Sequence, residues 1–525
     1  MPEILFPESF PNFDKPFEIK GVETSVPVFV GYTEKAPKEG NRWIWSFAAF
    51  EEYFGGASLP EYYLAACGEA PREPGDECIV EHLSLAPGGD SFGLFLRRGT
   101  RFNLHESLRL YFQNGGGQCF VVSCGTFAGR RVAREDLLTG LEAAAGIAEP
   151  SMLAVPDAVL LRDRDEFAAV TVAMLQQCAE LQDRVALLDL WGAGVEGAPV
   201  EQLAADFRTA LAEMPWDSCS YGIAHFPFLV TSVTTVEEIR LASFTRPRDL
   251  PAFKAALGQA IRLSVARNEA MRDRGSRLQR LVDALGESGD RSPATPGGPP
   301  DEVLATLSGQ EVAMALRTNI PGFADLCRRL ARSRSILPAS AAMAGLYSLQ
   351  DLISGPWTPP PRRFRSPVQP AILVGDDDQR HLENASGEGL AINAIRPVPG
   401  RDVLACSAAT LAPHGSDLRD IRVRRTLIHI EQSVKAALQA FVFSSNAPET
   451  WTKVVAMIEE FLRGLWNAGA LAGATPEEAF NVQCGLGTTM TAEEILDGRL
   501  LVTCVVAIAN PMDFIELTFS QQMTS

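Results

Sequence analysis

The chain has 525 residues and a formal net charge of −18; 46% of its residues are hydrophobic and 21% are charged. This composition is typical of globular proteins and excludes wholesale disorder, while 43 glycines and 35 prolines exclude a continuous coiled coil. The acidic balance argues against a general nucleic-acid binder, because such a protein needs a basic surface to displace counterions from phosphates.

Cysteine usage and the absence of targeting signals indicate where the protein is made. The ten cysteines contain no C-x-x-C pair, so we expect reduced thiols rather than a disulfide framework. The N-terminus lacks the basic and apolar regions of a signal peptide. The best apolar run, residues 500–509, is about half as long as a membrane span. We therefore expect a protein made in the cytoplasm and without a membrane span.

The first part of the chain combines an arm with alternating apolar residues. Residues 1–16 are rich in proline and phenylalanine without a steady period, which predicts an extended arm. Alternation from Phe17 and Ile19 to Val30 predicts strand structure. A helix is expected over residues 46–54 with Ser46 as N-cap, and another over residues 104–112. A buried strand follows at residues 119–123.

The middle of the chain reads as an α/β layer, because predicted strands and helices alternate. The predicted strands are 152–161, 185–190 and 221–233, and the predicted helices are 166–181 and 200–214.

Residues 240–336 differ in charge, with sixteen Lys and Arg against ten Asp and Glu. One long polar helix is predicted over residues 252–285. A Gly- and Pro-rich loop follows to residue 300, and then a helical stretch over 301–331 that is interrupted at Pro321. We interpret this region as a helical insertion on the outer surface.

The last third shows the clearest periodicity. Apolar residues three and four apart predict helices over residues 423–441 and 451–466. Thr475 to Glu478 and Thr491 to Glu494 both have the capping-box pattern, the first with proline at the first helical position. Strands are predicted over residues 500–509 and 513–521.

The final predicted strand has one apolar face, formed by Ile515, Leu517 and Phe519. A strand of this kind must pair. It either pairs within its own sheet or is donated to a neighbouring subunit by strand addition, and the pattern alone leaves both alternatives open.

No motif predicts catalysis or metal binding. No two of the six histidines lie within ten residues of each other, and no H-E-x-x-H or G-x-S-x-G is present. The glycines at 115–117 follow a helix and precede a strand, which is the reverse of a phosphate-binding loop. Asp376 to Asp378 lack the closing glutamate of a calcium loop. We therefore predict no catalytic residue, no metal site and no cofactor.

Motifs at both ends of the chain resemble contractile tail sheath proteins of myophages, R-type pyocins and extracellular contractile injection systems. The resemblance covers roughly residues 20–125 and 335–525, while the middle is similar only in general style. The segments that carry it are residues 24–31, 46–56, 106–123, 337–347, 391–401, 423–426, 430–433, 473–480, 497–500 and 514–521.

The resemblance implies an α/β (α+β) fold with a discontinuous sheath core. The expected division is an N-terminal arm 1–20, a core of 21–130 and 336–510, and a C-terminal strand 511–525. An outer α/β domain is expected over 131–335, with the helical insertion at 240–335.

The implied function is that of a structural, non-enzymatic subunit. Copies stack as hexameric rings around an inner tube, and contraction drives the tube through a target envelope. The implied partners are copies of the same chain, the tube, and baseplate and cap proteins, without nucleic acid. Assembly in the bacterial cytoplasm is expected, within a phage tail-like particle that is released or anchored to the envelope. The alternative, motivated by the α/β middle alone, is a nucleotide- or sugar-binding enzyme.

Two sets of candidate site residues follow from the resemblance. The strand-exchange set joins neighbouring subunits and the second set faces the tube. The first comprises Phe17, Ile19, Phe514, Ile515, Leu517 and Phe519, and the second Glu477, Glu478, Glu493 and Glu494.

Overall fold

A computed structural model describes residues 18–36, 41–128, 131–286, 309–360, 362–383, 390–508 and 514–523. The predicted arm at 1–16, Phe17 and most of the proline-rich loop lie outside the described residues. Within the described residues, three hydrophobic cores are the main units of the molecule.

The elements are numbered in chain order over the described residues. The strands are β1 Pro27–Thr33, β2 Asn41–Ile44, β3 Tyr62–Ala66, β4 Glu77–Leu83, β5 Phe92–Leu96, β6 Cys119–Thr126, β7 Met152–Ala154, β8 Val185–Leu188, β9 Gly222–Phe226, β10 Leu229–Val230, β11 Ile336–Leu337, β12 Gln369–Pro370, β13 Asn393–Pro397, β14 Val403–Ala405, β15 Phe480–Gln483, β16 Arg499–Ala507 and β17 Phe514–Gln522. The helices are α1 Phe47–Phe54, α2 Leu104–Gln113, α3 Arg134–Ala145, α4 Arg164–Leu181, α5 Val200–Ala210, α6 Trp216–Cys219, α7 Leu250–Arg267, α8 Arg272–Asp283, α9 Gly309–Asn319, α10 Pro321–Arg334, α11 Ser340–Ser354, α12 Asp376–Glu383, α13 Ile421–Leu438, α14 Pro448–Asn467, α15 Pro476–Ala479 and α16 Ala492–Leu496.

The first core surrounds an eight-stranded sheet in the order β14-β13-β9-β8-β7-β1-β6-β2. The six central strands are parallel, and β2 and β14 pair antiparallel at the two edges. This topology confirms the α/β fold class. The predicted strand at 152–161 is shorter than expected, because the chain leaves the sheet after Ala154 and Asp157 turns to the first residues of α2.

Helices cover both faces of this sheet. On β1, a Cβ added to Gly31 would touch Leu104 of α2, whereas Val30 packs against Gly140 of α3. Neighbouring residues of a strand point to opposite faces, so α2 and α3 lie on opposite sides. Helix α11 packs against α2, and α4 packs against α3 and α5. One face therefore carries α2 and α11, and the other carries α3, α4 and α5.

The second core belongs to a mostly helical domain. The sheet β3-β5-β4 packs against α7, α8, α9 and α10. The single helix predicted over residues 252–285 is wrong, since the chain breaks at Asn268, whose backbone is extended and whose side chain accepts from the Ala270 N–H. The predicted interruption at Pro321 is confirmed, with proline in the first turn of α10.

The third core is the C-terminal domain, formed by α13, α14 and the sheet β15-β16-β17. The capping box at Thr491 is present, and Glu494 accepts from the Thr491 N–H. The box predicted at Thr475 is absent: the Thr475 side chain caps no helical N–H, and Glu478 accepts instead from the Ala474 N–H.

These cores divide the chain differently from the predicted domains. Strands β7, β8 and β9 belong to the same sheet as β1 and β6, so a boundary at residue 130 passes through one hydrophobic core. The helices after residue 240 instead share a core with β3, β4 and β5 from the N-terminal part. Sequence periodicity misses this because it reports the buried face of an element and not which distant element covers it.

Candidate assembly surfaces

The carboxyl ends of the parallel strands are where open α/β sheets hold ligands, particularly where the strand order reverses beside β1. In this chain a buried side-chain carboxylate occupies that position. The Asp157 carboxylate accepts from the backbone N–H groups of Tyr32, at 2.8 Å, and Asn103, at 2.5 Å. Burial raises the pKa of Asp157 to about 6, although these donors oppose the shift. The carboxylate therefore satisfies the start of α2 where a ligand phosphate would be expected.

A second buried carboxylate repeats this arrangement beyond β8. Asp189 accepts from the Ser340 N–H at 3.0 Å, at the first residue of α11. Burial raises the pKa of Asp189 to about 6 as well. Both α2 and α11 therefore begin at a buried carboxylate that follows a strand of the sheet. The geometry anchors helices and offers no nucleotide cradle.

The segment 343–347, one of the sheath-like motifs, explains how α11 packs. A Cβ at Gly345 would lie 2.5 Å from the Tyr111 carbonyl oxygen, so only glycine allows α11 to approach α2 this closely. Two residues on, the Tyr347 hydroxyl lies 3.2 Å from Nε2 of the buried His225 on β9. Burial lowers the pKa of His225 to about 3, so this histidine is a neutral packing residue.

The C-terminal domain joins the main sheet through two consecutive arginines of α13. Arg425 forms a buried ion pair with Asp351 of α11, and its guanidinium also donates to the Thr24 carbonyl oxygen. Arg424 stacks over the Tyr221 ring at 4.1 Å and donates to its hydroxyl. These residues lie in the sheath-like segment 423–426, but the sequence motif gave no indication of what they contact.

The N-terminal segment before β1 runs along the same helix. The Val22 N–H donates to the Ser433 hydroxyl at 3.0 Å, and Nδ1 of His429 lies 3.0 Å from the Val22 carbonyl oxygen. Ile19 is buried in the third core. Of the two N-terminal residues in the strand-exchange set, Ile19 is therefore held by its own chain, and Phe17 lies outside the described residues.

The C-terminal strand also pairs within its own chain. β17 pairs antiparallel with β16 over nine residues, from Phe514 opposite Ala507 to Gln522 opposite Arg499. Leu517 and Phe519 are buried, Ile515 is partly buried, and Phe514 is exposed. Of the two alternatives left open by the sequence, this structure therefore has pairing within the strand's own sheet. The reason is that the apolar face of β17 completes the core beneath α13 and α14. Because β17 is the last strand of its sheet, its outer edge is open among the described residues.

The four glutamates assigned to the tube differ in their surroundings. Glu478 and Glu494 accept backbone N–H bonds at the starts of α15 and α16, so each serves its own helix. Hydrogen bonds from the Thr491 backbone hold the pKa of Glu494 below its usual range. Glu477 and Glu493 are exposed, and no cationic side chain lies within ion-pair distance of either in the described chain.

In the described ranges, no group of three or more His, Cys, Asp or Glu side chains could hold a metal ion. No helix among them is long and apolar enough to cross a membrane.

The comparisons with known proteins agree with the motifs. Residues 414–522 match the family model of the phage tail sheath C-terminal domain. A comparison with curated protein sequences found no match. The chain carries a sheath C-terminal domain, which confirms the resemblance stated from the sequence.

Solved structures extend the likeness to the whole chain. The sheath complex of the PVC extracellular contractile injection system in its contracted state is 19% identical, with 99% of both chains covered and a TM-score of 0.54. The contracted helical sheath of the anti-feeding prophage (AFP) is 22% identical, with 99% of both chains covered and a TM-score of 0.53. A chain of the AFP baseplate is 21% identical, covering 100% of this chain and 99% of that one, with a TM-score of 0.54. The described residues thus have the fold of contractile sheath proteins.

Proposed function

We propose that the chain is a structural subunit of a contractile tail sheath, which polymerises around an inner tube and contracts to drive it through a target envelope. The observation that carries this proposal is the sheath fold over the full length, together with the sheath C-terminal domain at residues 414–522. The enzyme alternative has no support, because Asp157 and Asp189 with their capped helices fill the positions where an α/β enzyme would bind its ligand.

The C-terminal sheet is the proposed link between copies. β17 already pairs with β16, so a neighbour's segment adds to its free outer edge, where main-chain hydrogen bonds fix the register. Such a link leaves the rest of each subunit free to rotate, since it involves one small domain. The contact of residues 22–24 with α13 holds the N-terminal segment beside this domain.

The tube-facing surface belongs in the same domain. From residue 439 onwards the sequence has ten Asp and Glu against three Lys and Arg, so this domain suits a tube with a basic outer surface. Glu477 and Glu493 are the residues free to contact it, whereas Glu478 and Glu494 position their helices. The helical domain adjoins the carboxyl ends of the strands, whereas the C-terminal domain adjoins their amino ends, so the helical domain then lies outermost.

The proposed partners are copies of this chain, the tube, and baseplate and cap proteins. We place assembly in the bacterial cytoplasm and the finished chain in a phage tail-like particle. Contraction needs no nucleotide if the contracted lattice buries more surface. Each additional few hundred Å² of apolar area per subunit contributes on the order of 10 kcal/mol before costs.

Co-expression with the tube protein of the same particle tests this function. We expect pelletable cylinders with regular striations in negative-stain electron microscopy. A discrete small oligomer whose melting temperature rises with nucleotides or sugars would contradict the proposal and favour the enzyme.

A further inference from the structure

A basic cleft lies at the carboxyl ends of β9 and β13. Its volume is about 820 Å³, and its walls come from residues 230–232 at the end of β10, the strap 363–370 that ends in β12, and the turn between β13 and β14. The strap is fixed to the α2 side of the sheet, because the Arg365 and Ser366 N–H groups donate to Asn114 at the end of α2. The lining of the cleft includes Arg332, Arg363, Arg365, Leu373, Pro397 and Arg401.

The positive charge of the cleft is largely uncompensated. Arg363 pairs with Asp402 at 2.6 Å. Arg332, Arg365 and Arg401 are exposed, and no carboxylate lies within ion-pair distance of them in the described part of the chain. Leu373 beside them is 78% exposed. Three free guanidinium groups around an exposed leucine form a surface for a partner that is acidic and partly apolar.

The opposite face of the same chain has the complementary composition. At the carboxyl ends of β7 and β8, the first turns of α4 and α5 and the loop 191–199 expose Asp165, Glu196 and Glu201. No cationic side chain pairs with these three carboxylates in the residues that the structure describes. Val195, next to Glu196, is 61% exposed. The ion pair between Arg164 and Asp206 joins α4 to α5, so the helices that carry Asp165 and Glu201 lie side by side.

These two surfaces cannot meet within one copy, because α2 and α4 lie on opposite sides of the sheet. They can meet between copies. Copies around a common axis keep each surface at its own radius, so two surfaces touch only if their radii are equal. Given the proposed function, in which the C-terminal domain faces the tube, position along the strands sets that radius. The acidic patch and the part of the cleft formed by Arg332, Arg401 and residues 230–232 lie at the carboxyl ends of the strands, so these two surfaces overlap in radius.

We propose that the acidic patch of one copy, formed by Asp165, Val195, Glu196 and Glu201, docks into the Arg332, Arg365 and Arg401 cleft of the next copy. This inference rests on the proposed function and adds a second contact between copies, separate from the C-terminal sheet. The contact is heterologous, and repetition of it generates a ring or a helix rather than a closed dimer. Val195 covers Leu373 and Pro397, and the charges fix the orientation.

A charge-swap experiment tests the contact in the full-length protein. The cleft variant carries Arg365→Glu and Arg401→Glu, and the patch variant carries Glu196→Arg and Glu201→Arg. Each variant alone places like charges opposite each other in every contact between copies. We therefore expect the concentration needed for polymerisation to rise at least about tenfold. An equimolar mixture restores opposite charges at every contact if the copies alternate, and it should polymerise at the wild-type concentration.

The matched control is Arg274→Glu with Arg277→Glu, which makes the same charge change at exposed positions of α8 and should polymerise normally. Cleft and patch variants that behave like this control, or a mixture no better than its components, would overturn the proposal. Association of the two variants is also measured as a 1:1 complex by sedimentation. That complex would support the contact even if the wild-type chain forms no cylinders, a result that would contradict only the proposed function.

Discussion

Arg425 lies where three parts of the molecule meet. Its guanidinium bonds to Asp351 of α11 and to the Thr24 carbonyl oxygen, and both members of the ion pair are buried. Burial raises the pKa of Asp351, and the nearby guanidinium opposes that shift. The pair therefore holds the C-terminal domain and the N-terminal segment on the main sheet only while both partners are present.

Arg425→Met should destabilise the protein strongly, because it leaves the Asp351 carboxylate buried without a cation. We expect a loss of about 3–5 kcal/mol in the free energy of unfolding, measured by urea denaturation. Arg422→Met is the control on the same helix, since Arg422 pairs with Asp420 at the surface, and it should cost less than about 1 kcal/mol. Equal losses in the two variants would contradict the role given to Arg425.

Asp189 makes stability depend on pH in a predictable direction. Its folded pKa is raised to about 6, above the value of about 3.9 in an unfolded chain. Between these values the folded state binds more protons, so its contribution to stability falls as pH rises from about 4 to about 6, by at most about 1.4 kcal/mol per pH unit.

Replacing Asp189 by Asn removes this titration, and the stability of the wild type relative to Asp189→Asn should decline over that window. The measurement is the melting temperature of both proteins at several pH values. Asp217→Asn, at an exposed carboxylate, serves as the control and should show no such trend. A constant difference between the wild type and Asp189→Asn would refute the assignment.

At the scale of elements, close contact between α2 and α11 depends on one glycine. Gly345→Ala would place a methyl group 2.5 Å from the Tyr111 carbonyl oxygen, and a backbone atom cannot move aside cheaply. We expect a loss of about 1–3 kcal/mol on thermal or urea unfolding. Gly464→Ala is the matched change in α14, where the added methyl meets nothing within 4 Å. It should stabilise the protein by about 0.5–1 kcal/mol, and a neutral Gly345→Ala would show that the helices can separate.

The four glutamates of the C-terminal domain allow the proposed tube contact to be tested separately from helix structure. Exchange of Glu477 and Glu493 for lysine should weaken co-assembly with the tube and lower the melting temperature only slightly, because both lie in the first turn of a short helix but neither pairs with a cation of its own chain among the described residues. Glu494→Ala removes the capping bond to Thr491 and should lower the melting temperature slightly. Tube co-sedimentation that is unchanged in the double lysine variant would remove these residues from the interface.

Local signals predicted most elements, because periodicity and caps act over a few residues. Ser46 as N-cap, the Thr491 box and the long helices α13 and α14 follow directly from side-chain spacing. The failures have non-local causes. The pattern from Ala252 to Leu285 predicts one helix, although its two halves are separate helices that pack on a shared core. The strand at Met152 ends early because the chain turns so that Asp157 can bond the start of α2.

The candidate surfaces were only partly predictable for the same reason. The sequence identified the apolar face of β17 but not the partner of the strand. The structure shows that β17 pairs with β16 and that this face is buried in the third core. The Arg332, Arg365 and Arg401 cleft combines residues from three distant segments. No spacing in the sequence could have brought them together.

For the whole molecule, the three cores follow one another along the strand direction. The helical domain adjoins the carboxyl ends of the main sheet through the buried pair of Arg334 with Glu106 of α2, and the C-terminal domain adjoins the amino ends through Arg424 and Tyr221. The net charge also differs along the chain, because residues 240–336 are basic while the chain as a whole is acidic. Such a layered subunit suits an assembly in which one end meets a tube and the other faces outwards.

Cryo-electron microscopy of the assembled particle tests this account most directly. A helical reconstruction of the chain co-assembled with its tube should show stacked six-membered rings, with α13 to β17 against the tube, the eight-stranded sheet at middle radius and α7 to α10 outermost. A particle without helical or ring symmetry, or a cylinder with the helical domain against the tube, would contradict it.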